Sequence, residues 1–204
     1  MLNRIINLPV NKHSFFLFGP RQTGKTTLIN NILRNENVFE INLLRNEIFV
    51  KYKTRPSLFR EEIEFFINKN KKASVFIDEI QKIPELLDEI HLLIEKYKNK
   101  LFFILTGSSA RKLKRVSTNL LAGRAWSYFL YPFTYQELQN KFSLVHNLQF
   151  GSLPAVYDLT KQDVIRTLIA YTDTYLKEEI VNESIVRNLG AFNKFLELAA
   201  DNSG

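Results

Sequence analysis

Short apolar runs alternate with segments of helical periodicity along the first two thirds of the chain. The runs cover residues 14–18, 38–43, 73–77, 101–105 and 125–130. Each has the length of a strand, and they are nearly continuous in apolar character, which is typical of strands buried on both faces. Strands that alternate with helices predict an α/β fold, in which helices flank a parallel sheet.

Helices are predicted between these runs, the last of them a basic segment that leads to Gly123. One begins at Thr26, and a second presents Leu58, Ile63, Phe66 and Ile67 on one side. The clearest helix opens at residues 83–85, where Pro84 suits the first turn and Glu85 complements the helix dipole. Its apolar face repeats at helical spacing and consists of Leu86, Leu87, Ile90, Leu93, Ile94 and Tyr97.

After residue 133 the strand signals stop and the remainder is predicted to be helical. Helices are expected from Thr134, from about Asp163 to Val181, and from Ala191. We therefore divide the chain into a core domain, residues 1–133, and a helical lid region, residues 134–204. The last helix keeps its apolar face almost to the final residue, so we expect the lid to be incomplete at its C-terminus.

The chain carries 28 basic and 21 acidic residues, a net charge of +7. This balance fits either an ordinary solvated surface or a polyanion partner such as nucleic acid. The basic run at residues 111–115 has the same two interpretations, a solvated helix face or a contact to a phosphate backbone. The absence of cysteine excludes disulfides and cysteine-ligated metals. With no apolar run of about 18–20 residues, we expect no membrane span and a cytoplasmic location.

Residues 19–26 match the pattern G-x-x-x-x-G-K-[ST] between a predicted strand and a predicted helix, the context that a phosphate-binding loop requires. The glycines let the backbone approach phosphate oxygens closely, and amides at a helix N-terminus attract anions. Lys25 is placed for the β- and γ-phosphates, and Thr26 offers its hydroxyl to Mg²⁺. The predicted ATP-binding residues are Gly19, Pro20, Arg21, Gln22, Thr23, Gly24, Lys25, Thr26 and Thr27.

Two adjacent carboxylates end the third strand run. Asp78 lies where an acid can hold the hydration shell of Mg²⁺, so Thr26 and Asp78 are the predicted metal residues. Glu79 lies where a carboxylate can polarise an attacking water. The simpler alternative is that both carboxylates cap the next helix. The phosphate-binding loop and the carboxylate pair each lie at the end of a predicted strand. Together they favour a hydrolytic enzyme over a passive binder.

Two further residues are candidates for catalysis. Thr106 follows the fourth strand run, and Ser108 is the alternative candidate for the same role. Either hydroxyl can orient the attacking water or contact the γ-phosphate. An ordinary turn explains them equally simply, since Gly and Ser favour turns. Arg124 precedes the fifth run and is a candidate arginine finger acting on a neighbouring subunit. Its alternative is a structural ion pair at the surface.

Five segments, taken in order, resemble predicted prokaryotic ATPases of the AAA+ superfamily, in which an AAA domain precedes a C-terminal domain of unknown function. These segments are GPRQTGKTTL at 19–28, FIDEIQKIP at 76–84, LTGSSA at 105–110, LAGRA at 121–125 and GSLPAV at 151–156. The resemblance implies Walker A roles for Lys25 and Thr26 and Walker B roles for Asp78 and Glu79. It also implies sensor 1 at Thr106 or Ser108 and an arginine finger at Arg124.

The same resemblance implies a five-stranded parallel sheet in the order 5-1-4-3-2 and a helical lid from about residue 134. It further implies that a C-terminal part of the protein is missing from this chain. A sensor 2 arginine is not evident, and Arg166 and Arg187 are only candidates.

The sequence thus predicts an Mg²⁺-dependent ATPase whose hydrolysis changes the conformation of a partner or an attached domain. One alternative is a nucleotide-gated interaction module with little hydrolysis of its own. Another is a small-molecule kinase, which the paired carboxylates disfavour because they point to water as the nucleophile. Possible partners are a second copy, through Arg124, and nucleic acid.

Overall fold

The computed structural model describes residues 2–108, 113, 121–176 and 188–202. Arg187 and the basic run at 111–115, apart from Leu113, lie outside these residues. The strands are β1 (Ser14–Phe18), β2 (Val38–Asn42), β3 (Ala73–Asp78), β4 (Leu101–Gly107) and β5 (Ala125–Phe129). The helices are α1 (Lys25–Leu33), α2 (Asn46–Thr54), α3 (Pro56–Asn68), α4 (Leu86–Lys96), α5 (Tyr135–Leu138), α6 (Leu144–Phe150), α7 (Lys161–Ala170) and α8 (Leu189–Asn202).

The five strands form one parallel sheet in the order β2-β3-β4-β1-β5. This is the predicted order 5-1-4-3-2 counted from the other edge, so both the α/β class and the topology are confirmed. All residues of β1, β3 and β4 are buried, whereas the edge strands β2 and β5 are partly exposed. Because the strands are parallel, their carboxyl ends lie at the same end of the sheet, and the loops that follow the strands meet there.

The core has one apolar cluster on each face of the sheet. On one face, Phe16, Val75 and Phe103 pack with Phe59 of α3 and Ile90 of α4. On the other face, the intervening strand residues pack with α1 and the N-terminal segment, in a cluster that includes Phe15, Leu17, Ile29, Phe76 and Ile104. Alternate strand residues therefore serve opposite faces, which explains the nearly continuous apolar runs.

Several element boundaries differ from those predicted. The helix α2 was missed because it is short and buries only Tyr52 fully. Strand β4 continues through Thr106 and Gly107, which pair with Leu17 and Phe18 of β1, so these residues are not a turn. The helix after residue 83 begins at Leu86, and Pro84 lies before it.

The described residues after β5 are largely helical, as predicted, but broken into short pieces, and the end of the helix predicted to reach Val181 lies outside them. Helix α5 ends after four residues, and Gln139 then takes a positive φ of 46°. Helix α7 ends at Ala170, and a π-helix over Tyr171–Leu176 follows it directly. None of the helices in the described part of the chain combines the length and apolar character that a membrane crossing requires.

Candidate nucleotide-binding site

The glycine-rich loop joins the end of β1 to the start of α1, as the motif predicted. Gly19 has φ 153°, and a Cβ at this position would lie 2.1 Å from the carbonyl oxygen of Leu130. Only glycine therefore lets the loop start beside the chain that leaves β5. Gly24 is left-handed, with φ 84°, and caps the N-terminus of α1. The helix consequently begins at Lys25, with its amide end facing the loop.

Side chains of the loop bond its own backbone and close it into a compact turn. Thr23 is almost fully buried, and its hydroxyl donates to the carbonyl of Pro20 at 2.8 Å. The ammonium of Lys25 donates to the carbonyls of Gly19 at 2.7 Å and Pro20 at 2.9 Å. This places the lysine charge across the mouth of the loop, beside the amides at the N-terminus of α1. The arrangement gathers positive charge and N–H donors at one point, which suits a phosphate chain.

Asp78, at the end of β3, accepts hydrogen bonds from hydroxyl groups on two other elements. The hydroxyl of Thr26 lies 3.0 Å from Oδ1 and 3.1 Å from Oδ2 of this carboxylate. The hydroxyl of Thr106, on β4, donates to Oδ1. Asp78 is only 2% exposed and Thr106 is fully buried. Three neighbouring elements therefore converge on one buried carboxylate at the carboxyl edge of the sheet.

This donor set fits a magnesium ion. Mg²⁺ prefers oxygen ligands and is usually held by one or two carboxylates together with phosphate oxygens and water. The carboxylate of Asp78 and the hydroxyl of Thr26 are both oxygen donors, already within 3.1 Å of each other. Within the described residues, no group of three or more His, Cys, Asp or Glu side chains forms an alternative metal centre.

Glu79 turns away from the strand that carries Asp78. Its backbone is left-handed, with φ 63° and ψ 47°, and its amide donates to the Thr106 hydroxyl at 3.2 Å. The side chain lines a cavity of about 400 Å³ together with Lys25 and Thr26. The remaining lining residues of this cavity are Arg21, Gln22, Gly24, Thr27 and Leu44. Glu79 therefore borders the same space as the phosphate loop.

A larger cavity, of about 510 Å³, adjoins the loop on its other side and shares Gly24 and Thr27 with the first. Residues of the N-terminal segment and of the region after β5 line it. They include Leu2, Arg4, Ile6, Phe133, Pro154 and Asp158. Its volume is in the range of small-ligand sites. The sequence motifs contain no signal for this cavity.

Arg4, which lines the larger cavity, forms a buried ion pair with Glu137. Nε of Arg4 lies 3.1 Å from Oε1 of Glu137, and the two side chains are 8% and 2% exposed. The guanidinium stacks 4.8 Å from the ring centre of Phe133. Burial lowers the pKa of Arg4, while the charge of Glu137 opposes this shift. Glu137 also completes a capping box with Thr134 at the start of α5, which the spacing T-x-x-E in the sequence could have revealed.

Arg124 lies at the opposite end of the sheet from the phosphate loop. It precedes Ala125, which pairs with Ser14 at the start of β1, whereas the loop follows Phe18 at the end of that strand. At about 3.3 Å per residue, the two ends of β1 are roughly 13 Å apart. The Arg124 guanidinium pairs with Glu95 of α4 and lowers the pKa of that carboxyl group. The structure therefore does not bring Arg124 to the loop of its own chain.

The other predicted residues are placed as follows. Ser108 follows β4, and its hydroxyl accepts a hydrogen bond from Gln81 at 3.3 Å. Gln81 also donates to Glu79, and sequence reasoning assigned it no role. Arg166, a sensor 2 candidate, is well exposed on α7 and pairs with Asp163. Two histidines pack against aromatic rings: His13 on Trp126, and His146 on Phe150 and Tyr157.

The loop between β1 and α1, the acidic end of β3 beside it and the strand order of the sheet together define a P-loop ATPase of the AAA type. A protein-family model described as "AAA domain" matches residues 11–139, more than half of the chain. The chain belongs to this family of AAA domains.

One solved structure similar to this chain is the Walker-type ATPase PABY2304 of Pyrococcus abyssi. The two share 16% sequence identity with a TM-score of 0.50, over 93% of this chain and 71% of that one. At this identity, the likeness supports the fold. No curated protein matches the sequence.

Proposed function

We propose that the chain binds ATP together with Mg²⁺ and hydrolyses it, and that hydrolysis changes the conformation of a partner or of an attached domain. The observation that carries the proposal is the convergence of Thr26, Asp78 and Thr106 beside the cavity that Lys25 and Glu79 line. The Thr26 hydroxyl and the buried Asp78 carboxylate suit the metal, while the lysine and loop amides suit the phosphates. The second carboxylate suits the activation of water.

The larger cavity is proposed to hold the base and sugar of the nucleotide. It adjoins the loop at Gly24 and Thr27 and is lined by apolar residues of the N-terminal segment and by Phe133. Because its wall includes residues on both sides of residue 133, a nucleotide there touches both the core, residues 1–133, and the proposed lid, residues 134–204. Occupancy of this cavity can therefore change the position of the lid.

Glu79→Gln tests the hydrolytic part of the proposal. The substitution keeps the size and hydrogen-bonding ability of the side chain but removes the charge that polarises water. We expect ATP affinity within about twofold of the wild type and turnover at least about 100-fold lower, the usual scale of general-base catalysis. Lys25→Ala serves as the contrast, because it should lose ATP binding itself. A wild-type chain that binds ATP and never hydrolyses it, even when concentrated, would contradict the enzymatic assignment.

The second candidate is a nucleotide-gated interaction module with little hydrolysis of its own. It is favoured by the position of Arg124, which is paired with Glu95 at the far end of the sheet. A chain that needs this arginine from a neighbour completes its site only on assembly. Turnover per chain that rises with protein concentration would favour assembly, whereas conformational change on ATP binding without turnover would favour the module.

A further inference from the structure

We propose that Gln81 is a positioning residue for Glu79, whose carboxylate it holds toward the phosphate cavity. This inference rests on the proposed function, in which Glu79 activates water. The amide Nε2 of Gln81 donates to Oε2 of Glu79 and, at 3.3 Å, to the hydroxyl of Ser108. One side-chain amide thus links the carboxylate that follows β3 to the residue that follows β4.

The backbone conformation of Glu79 does not by itself fix the position of its carboxylate. Glu79 is left-handed, a conformation that costs a non-glycine residue about 1–2 kcal/mol. Glu79 lines the cavity together with Lys25, whereas Gln81 is not among the residues lining that cavity. A glutamate side chain has three rotatable bonds, so the turn alone leaves the carboxylate free to move. The hydrogen bond from Gln81 restrains one oxygen of this carboxylate.

Gln81 is held in place by burial and by close packing against β4. It is only 6% exposed, in the 3₁₀ turn Ile80–Lys82. A Cβ at Gly107 would lie 2.7 Å from its Oε1, so glycine at this position leaves room for the amide. The amide consequently has little freedom, which is the property that a positioning residue needs.

The hydrogen bonding of Gln81 argues against a purely structural role. Its Oε1 is buried and accepts no hydrogen bond within the described part of the chain. A buried acceptor without a partner costs about 1–3 kcal/mol. An apolar side chain of similar size avoids this cost, so stability alone does not account for an amide here. The donor Nε2 does account for it, because it is the group that meets Glu79.

Gln81→Leu is the direct test, because leucine keeps the approximate volume and removes the donor. We expect kcat to fall by about 10-fold to 100-fold, which corresponds to the free energy of one hydrogen bond to a charged group. The Kd for ATP should stay within about twofold of the wild type. The matched control is Gln149→Leu, the same substitution at an exposed position of α6, which should leave kcat unchanged. Unfolding in urea verifies that both variants fold, and Gln81→Met replaces Gln81→Leu if the latter does not.

A double-mutant cycle separates positioning from a general structural effect. In the Glu79→Gln background, Gln81→Leu should reduce single-turnover hydrolysis by less than about twofold, since the carboxylate is already gone. An equal loss in both backgrounds, an unchanged kcat in the single variant, or a raised Kd for ATP would each overturn the proposal.

A second measurement distinguishes failure of this inference from failure of the proposed function. The side-chain amide resonances of Gln81 report its hydrogen bond without any turnover. We expect Glu79→Ala to shift these resonances and to leave those of Gln149 unchanged. If they do not move, Gln81 does not hold Glu79, whether or not the protein hydrolyses ATP. If they move but the wild type has no turnover, the enzymatic proposal fails and the positional contact stands.

Discussion

The hydroxyl of Thr26 lies 3.0 Å from the carboxylate of Asp78, although 52 residues separate them in the chain. Thr26 lies in the first turn of α1, the helix after β1, and Asp78 ends β3, two strands away across β4. The pair meets because all strands are parallel and their carboxyl ends share one edge. The magnesium ion proposed above would therefore be held jointly by two segments of the chain.

Asp78→Asn should abolish the contribution of Mg²⁺ to nucleotide binding. The amide keeps the size of the carboxylate and removes the charge that attracts the metal. We expect Mg²⁺ to tighten ATP binding to the wild type by at least about 10-fold and to have no effect on the variant, in titrations with and without a chelator. Asp88→Asn, an exposed site on α4, is the control and should behave as the wild type. Equal magnesium dependence in both variants would remove Asp78 from the metal site.

Thr106→Val should lower turnover and leave ATP affinity nearly unchanged. The valine keeps the shape of the buried side chain but removes the hydroxyl that bonds both Asp78 and the amide of Glu79. A lost buried hydrogen bond of this kind costs about 1–3 kcal/mol, which should also appear in urea unfolding. Thr106→Ser retains the hydroxyl and should recover most of the activity. If serine and valine reduce turnover alike, the hydroxyl has no part in the reaction.

Gly19→Ala should destabilise the protein much more than Gly151→Ala. Both glycines have positive φ, 153° and 73°, so both substitutions strain the backbone. At Gly19 the new methyl group would also lie 2.1 Å from the carbonyl of Leu130, whereas at Gly151 nothing lies within 4 Å. We expect a loss of about 1–2 kcal/mol at Gly151 from backbone strain and a clearly larger loss at Gly19, measured by urea unfolding. Similar losses would mean that the loop moves freely away from β5.

Arg124→Ala should lower turnover without changing ATP affinity if the arginine acts on a neighbouring chain. The substitution also breaks the pair with Glu95, so Glu95→Gln is the matched control, which breaks the pair and keeps the arginine. Because the pair lies at the surface, where ion pairs add little stability, neither variant should unfold. Steady-state assays over a range of protein concentrations provide the measurement. Equal turnover in wild type and Arg124→Ala would assign Arg124 to a surface ion pair.

Arg4→Met should cost about 3–5 kcal/mol of unfolding free energy, because it leaves the buried carboxylate of Glu137 without its cation. Adding Glu137→Gln should restore much of this stability, since glutamine is neutral and still completes the capping box with Thr134. Chemical denaturation of the two single variants and the double variant gives the coupling. Additive losses would show that the two side chains do not depend on each other.

Local patterns predicted the parts of the site that lie next to one another in sequence. The loop at residues 19–26 and the carboxylates Asp78 and Glu79 each combine a buried strand with the turn that follows it. Strand burial and helix initiation are both local properties, and their periodicity is visible over a few residues. The order of the strands came from the family resemblance, because the apolar runs by themselves do not specify which strands pair.

Tertiary packing decided the contacts between distant segments. Arg4 meets Glu137 only because the N-terminal segment crosses beside the start of α5, and Arg124 is kept from the loop by the full length of β1. Gln81 and Ser108 meet because β3 and β4 are neighbours. The sequence by itself thus determined the class of fold and the phosphate-binding chemistry, since both arise from short-range patterns. Only the tertiary structure decided which side chains position that chemistry, because those contacts depend on how separate elements pack.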